Sequence, residues 1–348
     1  MSGLIGRTPV QGSASYLSAK VTAVYDRTLL ERAVANQIFD MFGQSKVVPA
    51  NSNAKKAFAY RYKNILPATT PLAEYNGSNI KAPNKIVREE VEYGVAHYGD
   101  YITYTDELDL YDFDTIESSF LDILGDQASL TIDTITRDTL RAGTNVVYAD
   151  GAVSRLEVAD SKKVHVSKDF DIMAIKLKNQ GGKKFKKVIT ASTKVGTAAV
   201  RSAYVGIVDP SLTPDLRALP GWQNVENYSD YSKAYPNEIG RIGDFRIIES
   251  DNNEPIANQG TNTDTNVYLS LFFAENAYAT VTLRGKGGIV TKVKPLGSSG
   301  AEDPLDQYGT IGWKAIHGAA ILNEAWLIRT EATATVEDAT AKHYYDYS

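Results

Sequence analysis

The stretch from Asp114 to Gly143 reads DTIESSFLDILGDQASLTIDTITRDTLRAG. Asp114 and Glu117 form a variant of the capping box that starts helices, and Gly143 is typical of the position just past a helix end. Between them, apolar residues recur at steps of three and four. A helix over about 114–142 would be roughly 40 Å long at 1.5 Å per residue, so we expect a spine to which other elements attach. Four residues of its apolar stripe are expected to face a β-sheet of the same chain: Ile116, Phe120, Ile123 and Leu124.

Residues 46–100, which precede this helix, show the two-residue period of β-strands. In the first strand, aromatic residues alternate with small or charged ones: Phe58, Ala59, Tyr60, Arg61, Tyr62 and Lys63. In the second, apolar positions alternate with charged ones: Val87, Arg88, Glu90, Val91, Glu92, Tyr93 and Val95. The segment between them contains turn-forming residues, namely Pro67, Pro71, Gly77 and Pro83. Two strands joined by a long tip are not stable alone in water, so this ribbon must join a larger sheet or rest on a neighbouring molecule.

The ribbon supplies our candidates for contacts between copies of the chain. Tyrosine is twice as frequent as phenylalanine, 21 residues against 10, and its apolar ring with a polar tip suits surfaces that another protein later covers. Ordinary surface tyrosines on strands explain this number equally well. Charged side chains opposite a neighbour would fix the register of the contact. The intersubunit contact candidates are Tyr60, Arg61, Tyr62, Lys63, Arg88, Glu90 and Glu92.

The other elements are shorter. Residues 1–25 are small and polar, and a helical period then begins at Asp26 and ends before Gly43. Residues 155–300 predict an α/β segment, with a helix from Asp169 to Gln180. Strands are predicted at 187–190, 204–208, 246–249, 267–273 and 325–330. The Asn/Asp-rich segment 251–266 is expected to be a surface loop.

Composition excludes several classes of protein. The chain has 348 residues with 43% hydrophobic and 23% charged residues, which is typical of a globular protein. A net charge of −5 argues against a protein that wraps a cationic face around nucleic acid. The absence of cysteine excludes disulfides and thiolate metal sites. No signal peptide and no membrane span is expected, because no apolar run is long enough.

The search for catalytic chemistry identifies no convincing site. His97, His165, His317 and His343 are far apart in sequence and are expected to be structural or surface residues. An acidic group could ligate a hard cation, but its spacing fits a solvated segment before the helix better: Asp106, Glu107, Asp109, Asp112 and Asp114. A basic patch could meet phosphate or carboxylates of another copy, although a solvated helix end is the preferred interpretation: Lys176, Lys178, Lys183, Lys184, Lys186 and Lys187. We expect no catalytic residues, no cofactor and no metal.

Six ordered segments resemble one family of viral proteins. They are 23–33 (AVYDRTLLERA), 66–74 (LPATTPLAE), 98–106 (YGDYITYTD), 124–140 (beginning LGDQA), 237–249 (NEIGRI and FRIIE) and 303–315 (DPLDQYGTIGWKA). Together they make the chain similar to the major capsid (coat) proteins of tailed bacteriophages, in particular the coat family of N-four-like phages. The ordered set spans about residues 20–330. The 251–266 loop lies outside the resemblance.

The resemblance implies an α+β protein with the Hong Kong phage-type capsid fold: an N-terminal arm, an extended β-hairpin loop, a long spine helix, and peripheral and axial domains. The implied division is 1–45 for the arm, 46–100 for the extended β-ribbon loop, 101–157 for the peripheral domain with the spine helix, 158–300 for the axial α/β domain, and 301–348 for the return strands of the peripheral domain and a C-terminal tail.

The resemblance also implies a structural subunit that self-assembles, as hexamers and pentamers, into an icosahedral shell around double-stranded DNA. Its location would be the virion capsid, after assembly in the host cytoplasm. Scaffolding, decoration and portal proteins are further expected partners, and no membrane is. Two alternatives remain open: an encapsulin-like compartment of the same fold that holds protein cargo, and a hydrolase that uses the Asp106–Asp114 carboxylates.

Overall fold

The structure is a computed structural model that describes residues 37–49, 56–63, 65–72, 74, 83–107, 116–188, 200–228, 234–261, 265–285, 288–298 and 304–336. Its strands are β1 (Gln44–Val48), β2 (Lys56–Tyr62), β3 (Arg88–Gly94), β4 (Ala96–Thr105), β5 (Val146–Tyr148), β6 (Tyr204–Val208), β7 (Trp222–Asn224), β8 (Glu238–Ile242), β9 (Phe245–Glu249), β10 (Tyr268–Phe273), β11 (Tyr278–Leu283), β12 (Gly288–Lys294), β13 (Tyr308–Ile321) and β14 (Leu327–Ala332). Its helices are α1 (Ile116–Arg141), α2 (Arg155–Asp160), α3 (Ser167–Asn179) and α4 (Thr213–Arg217). The expected α+β class is confirmed.

Strand β13 is the centre of a five-stranded sheet. One of its edges pairs antiparallel with β4 over ten residues, from Tyr308 opposite Thr105 to His317 opposite Ala96. Its other edge pairs antiparallel first with β12 and then with β11. Strand β1 adds to β11 in parallel. Because a single long strand pairs with three others, the sheet is one continuous support for the helix that packs on it.

Helix α1 is the predicted spine, and its observed bounds lie within two residues of those expected. Its buried stripe packs on β4, β12 and β13. Leu121, Leu124, Ala128 and Ile132 form this stripe, and Phe120 is partly buried beside it. The prediction for Ile123 is wrong, because its side chain is 59% exposed. Its neighbour Leu124 lies in the buried stripe, and one residue turns a helix by about 100°. The Ile116 side chain lies outside the described residues.

The second sheet has seven strands in the order β5–β14–β10–β6–β9–β8–β7. One face packs on α3 through Phe170, Met173 and Leu177. The other face packs on the segment 37–43 and on Leu140 at the end of α1. Both faces are therefore covered, which explains why β6 and β10 are buried at every position.

Each sheet contains strands from more than one of the segments into which the sequence was expected to divide. Strands β11 and β12 fall in 158–300, yet they join the five-stranded sheet around β13. Strand β14 falls in 301–348 and β5 in 101–157, yet both join the seven-stranded sheet. The expected peripheral and axial domains, with their boundaries, remain a prediction.

A buried polar cluster ties the segment 37–43 to α1. The backbone N–H of Phe39 donates to Asp133 Oδ1 at 2.7 Å, and Asn252 Nδ2 donates to Asp133 Oδ2 at 3.0 Å. His317 Nε2 lies 3.0 Å from Thr136 Oγ1 in a hydrogen bond. Because removal from water disfavours a charge, burial raises the pKa of Asp133 to about 6 and lowers the pKa of His317 to about 4.

Asp40 belongs to the same cluster. Its Oδ1 atom is buried, accepts no hydrogen bond from a described residue, and lies 3.7 Å from His317 Nε2. Burial raises the pKa of this carboxyl group to about 6. The segment 37–43 is thus bonded to α1 through Asp133, and burial raises the pKa of both Asp40 and Asp133 to about 6.

Some local predictions are wrong. Residues 38–42 form turns rather than the end of a helix, and the rest of the predicted helix from Asp26 lies outside the described residues. Lys187 and Val188 are not in a strand. Ala325 and Trp326 form a short 3₁₀ turn, after which β14 begins. In the supposed surface loop 251–266, Asn252 and Asn253 are buried, because they bond to residues from other elements. No helix in the described ranges is both long and apolar enough to span a membrane.

Candidate intersubunit surface on the ribbon

Strands β2 and β3 pair antiparallel and form the predicted ribbon. Phe58 stands opposite Glu92, Tyr60 opposite Glu90, and Tyr62 opposite Arg88. Residues directly opposite each other share a face of a strand pair. Five of the seven contact candidates therefore lie together, and we call this set with Phe58 the ribbon face: Phe58, Tyr60, Tyr62, Arg88, Glu90 and Glu92. Arg61 lies on the other face, opposite Glu89, and Lys63 follows the end of β2.

The ribbon face is unusually rich in exposed aromatic surface. Phe58, Tyr60 and Tyr62 are 49%, 54% and 63% exposed. The guanidinium group of Arg88 lies 4.4 Å from the ring centre of Tyr60, which is a cation–π contact. Contiguous exposed apolar area of this kind marks surfaces that bind other proteins. Phe58 was missed as a candidate, although its place in the predicted alternation already put it beside Tyr60.

The base of the ribbon is anchored in its own chain. Ala57 and Tyr93, from the other face, pack on buried Val48 and Val281 of the five-stranded sheet. A Cβ atom on Gly318 of β13 would lie only 2.0 Å from the carbonyl oxygen of Gly94. The backbone at the end of β3 therefore lies directly on β13, and only glycine fits there. The ribbon is held firmly at one end.

The charged candidates already have partners within the ribbon. Glu92 pairs with Lys56 and Glu90 pairs with Arg88. Glu89 pairs with both Arg61 and Lys63. The hydrogen bond from Lys63, followed in size of effect by that from Arg61, holds the pKa of the Glu89 carboxyl group below its ordinary value. All these groups are solvent-exposed, so each pair contributes little to stability. The ribbon face consequently offers aromatic area and nearly neutral charge rather than unpaired ions.

Beyond the paired strands, the described part of the tip is apolar and exposed. Lys63 N–H donates to the Val87 carbonyl at 2.9 Å, and beyond this bond the two segments of the ribbon continue without strand pairing. Exposed apolar side chains follow on both: Ile65, Leu66, Leu72, Ile86 and Val87, of which Leu66 and Leu72 are 85% and 81% exposed. Sequence reasoning did not select them. Leucine and isoleucine inside a proline-containing loop were the available signal.

The residues considered for chemistry do not converge. His165 is buried beside Thr330, His317 is buried beside Thr136, and His97 lies on β4. Of the acidic group, Asp106 and Glu107 directly follow β4, while Asp109, Asp112 and Asp114 lie outside the described residues. In the described part of the chain, no three His, Asp or Glu side chains cluster as metal ligands would. In the basic patch, Lys178 and Lys184 both pair with Asp244.

Known capsid proteins share this architecture. The capsid of Ralstonia phage GP4 is similar, with a TM-score of 0.66 at 11% identity over 88% of this chain and 93% of that chain. The cyanophage Pam1 capsid has a TM-score of 0.57 at 10% identity over 87% and 94%, and the mature capsid of bacteriophage PhiM1 has 0.55 at 12% over 85% and 87%. At such identities the likeness shows the fold. No curated protein matches the chain.

Family membership follows from the sequence itself. The model of the phage capsid protein family matches residues 88–330, which include every strand from β3 to β13 and most of β14. This match covers well over half of the chain. The chain therefore belongs to the phage capsid protein family, and it is a structural subunit of a viral shell.

Proposed function

We propose that copies of this chain assemble, through hexamers and pentamers, into a closed icosahedral shell that encloses double-stranded DNA. The observation that carries this proposal is the ribbon face: three exposed aromatic rings on a strand pair whose base is fixed in its own chain. Repeated contacts between identical subunits, closed by symmetry, turn a modest interface into a stable shell.

The contact between the ribbon and a neighbouring copy is the interaction that would join subunits in the shell. Two strands bury too little surface to be stable alone, so the part beyond the anchored base gains stability when a neighbouring copy covers it. Tyr60 and Tyr62 would supply the buried area, and the exposed Leu66 and Leu72 would extend it toward the tip. The ion pairs of Arg61, Lys63, Arg88, Glu90 and Glu92 would keep the strands in register during this contact.

The remaining roles follow the same scheme. The peripheral domain would comprise 101–157 and the return strands of 301–348, a segment that also contains a C-terminal tail, and the axial domain would comprise 158–300. Strands β5, β11, β12 and β14 would connect the two domains. A net charge of −5 suits a shell that holds DNA without gripping it, because phosphate repels a negative surface. The location would be the virion capsid after assembly in the host cytoplasm, with scaffolding, decoration and portal proteins as partners. The subunit would carry no catalytic activity.

The test begins with the size and contents of purified particles. We expect the expressed full-length chain to form particles of megadalton mass in electron micrographs, and particles from infected cells to contain double-stranded DNA. Particles filled with a partner protein instead would favour the cargo compartment, and a small enzyme-like oligomer would contradict shell assembly.

A pair of variants tests the ribbon face directly. Tyr60→Ser with Tyr62→Ser should abolish or cripple assembly while the chain stays folded, because both rings are already exposed. Val153→Ser with Leu156→Ser is the matched control, since it removes exposed apolar side chains elsewhere. Equal particle yields from the two variants would contradict the proposed contact.

A further inference from the structure

The face of the five-stranded sheet that points away from α1 carries three exposed lysines. Lys292 and Lys294 lie on β12, and Lys314 lies on β13 opposite Val290. The residues that alternate with them, such as Ile289, Ile311 and Trp313, pack against α1. We call Lys292, Lys294 and Lys314 the lysine triad. They form no ion pair with any residue that the structure describes.

No carboxylate from the described strands neutralises this face. Its other outward positions on β4, β12 and β13 are His97, Gly99, Tyr101, Thr103, Thr105, Gly288, Val290, Tyr308, Thr310, Gly312, Ile316, Gly318 and Ala320. Asp100 of β4 is on the opposite face, where Gln127 of α1 donates to its Oδ2 at 2.6 Å. The described part of this face is therefore positive, although the whole chain is negative.

The lysine triad borders a shallow depression of about 390 Å³, and Asp100, whose carboxylate accepts a hydrogen bond from Gln127, also lines it. Two glycines create it, because Gly99 and Gly312 place no side chain between the lysines and the exposed ring of Tyr101. A Cβ atom on Gly312 would lie 2.6 Å from the Asp100 carbonyl oxygen and from Tyr101 Cβ. The strands approach so closely there that a larger residue would not fit. A broad, flat molecule can consequently reach the lysines.

The spacing of the charges suits a chain of repeated anions. Lys292 and Lys294 are two residues apart on one strand, which places their backbones about 6.5–7 Å apart. Lys314 lies on the next strand opposite Val290, which makes it a diagonal neighbour of Lys292 at about 7–8 Å. Lysine binds phosphate as a flexible point charge without demanding one geometry. Such a row recognises charge and backbone, and it carries no means of reading base sequence.

Another copy of the ribbon fits this face less well. The carboxylates of Glu89, Glu90 and Glu92 are already paired with cations of the ribbon itself. The ribbon face therefore brings little unpaired negative charge to three lysines. The phosphate backbone of DNA brings dense negative charge, and the mobile counterions around it are released when lysines bind.

We propose that the lysine triad contacts the phosphate backbone of the enclosed double-stranded DNA, weakly and without sequence preference. This inference rests on the proposed function, because it takes DNA to be the content of the shell. Three phosphate contacts give a slope of about −2.7 in log K against log salt. Binding of that kind is weak for one subunit, so DNA stays mobile, but it recurs at every subunit of the shell.

Binding of a duplex to the full-length chain tests the proposal. The probe is a random duplex of about 30 base pairs, titrated at about 20–200 mM salt and followed by fluorescence anisotropy. Lys292→Gln, Lys294→Gln and Lys314→Gln together should weaken binding at low salt at least about tenfold and reduce the slope by about 2–3. The matched control replaces three exposed lysines of the basic patch, Lys176, Lys183 and Lys186, with Gln and should bind as the parent does. Equal losses in both variants, or none in either, would overturn the proposal.

Acetylation of lysines in particles tests the location of the lysine triad. Lys292, Lys294 and Lys314 should react several-fold more slowly in DNA-filled particles than in emptied ones, while Lys176 and Lys183 react equally. Protection in both states would mean that another copy of the chain covers the face, and reactivity in both would mean that the face is away from DNA. Either result overturns the proposal. Particles that never contain DNA would refute the proposed function, whereas the duplex titration alone still decides whether the lysine triad binds phosphate.

Discussion

The hydroxyl group of Tyr278 donates a hydrogen bond of 2.6 Å to the backbone carbonyl of Phe39, across 239 residues of sequence. The N–H of Phe39 is bound in turn by Asp133 of α1. Both backbone groups of this one residue are thus fixed by side chains from other elements. The segment 37–43 is held by specific bonds as well as by the apolar contacts of Phe39 and Phe42.

Removing the Tyr278 hydroxyl should destabilise the chain measurably. Tyr278→Phe keeps the fully buried ring but leaves the Phe39 carbonyl without its donor, which costs about 1–3 kcal/mol. Chemical denaturation of the unassembled chain measures this loss. Tyr62→Phe, at an exposed ring, is the control and should change stability by less than about 0.5 kcal/mol. Similar values for the two variants would show that the bond to Phe39 contributes nothing.

Asp40 should give stability a characteristic pH dependence. Its pKa is raised from 3.8 to about 6, so the folded chain holds this proton more tightly than the unfolded chain. Stability from this group is therefore fully present below about pH 4 and is lost as pH rises to about 6. Asp40→Asn should gain up to about 3 kcal/mol relative to the parent between these two pH values.

The neighbours of Asp40 decide how this comparison is made. Asp133 has the same direction of shift, whereas the lowered pKa of His317 gives the opposite slope between about pH 4 and 6.5. Besides burial, the charge of Asp40 raises the pKa of Asp133, so urea denaturation of parent and variant at each pH measures the contribution of Asp40 together with this coupling. A difference that stays constant from pH 4 to 6 would contradict the buried position of this carboxyl group.

Adjacent residues of α1 provide a sharp test of which face is buried. Leu124→Ala should cost about 2–5 kcal/mol, because Leu124 is only 1% exposed. Ile123→Ala should change stability by less than about 0.5 kcal/mol, because its side chain is in solvent. Phe120→Ala should lie between them, since Phe120 is partly buried. Thermal unfolding of the three variants gives the order, and a cost at Ile123 equal to that at Leu124 would mean that α1 is rotated.

Shortening the ribbon should separate folding from assembly. Deleting residues 68–82 and joining the strands with a short glycine-containing turn leaves the anchored base intact, because Ala57 and Tyr93 lie outside the deletion. The deleted chain should unfold at nearly the parent temperature but give few or no shells in electron micrographs. Leu66→Ser with Leu72→Ser, in the full-length ribbon, should weaken assembly in the same direction. Well-formed shells at normal yield from the deletion would show that the tip is not a contact element.

Local signals in the sequence predicted the fold well where neighbours in sequence decide the structure. The caps and apolar period of α1 placed its ends within two residues, and the alternation around Tyr60 placed β2. Ile123 was misplaced because the period alone does not specify which edge of a stripe is covered. Asn252 was misplaced because its partners, Asp133 and Arg137, are more than a hundred residues away.

Of the two candidate sites, the sequence alone predicted the one that depends on local alternation and missed the one that depends on strand pairing. Alternation in β2 and β3 was enough to find most of the ribbon face. The lysine triad was invisible in the sequence, because Lys314 joins Lys292 and Lys294 only through the register of β12 with β13. Net charge pointed away from any cationic face, since a sum over the whole chain hides a local patch.

The late position of β13 and β14 in the sequence has a consequence for the order in which the two sheets can form. Strand β13 is the centre of the five-stranded sheet, and β14 lies between β5 and β10 in the seven-stranded sheet. A ribosome makes both of these strands after nearly everything else in the two sheets. Until β13 has been made, β4 has none of its ten partners, which are residues 308–317, and until β14 has been made, β5 has no partner strand. A chain cut before β13 therefore lacks the strand on which the end of β3 rests, so we expect such a chain neither to hold its ribbon in place nor to join a shell.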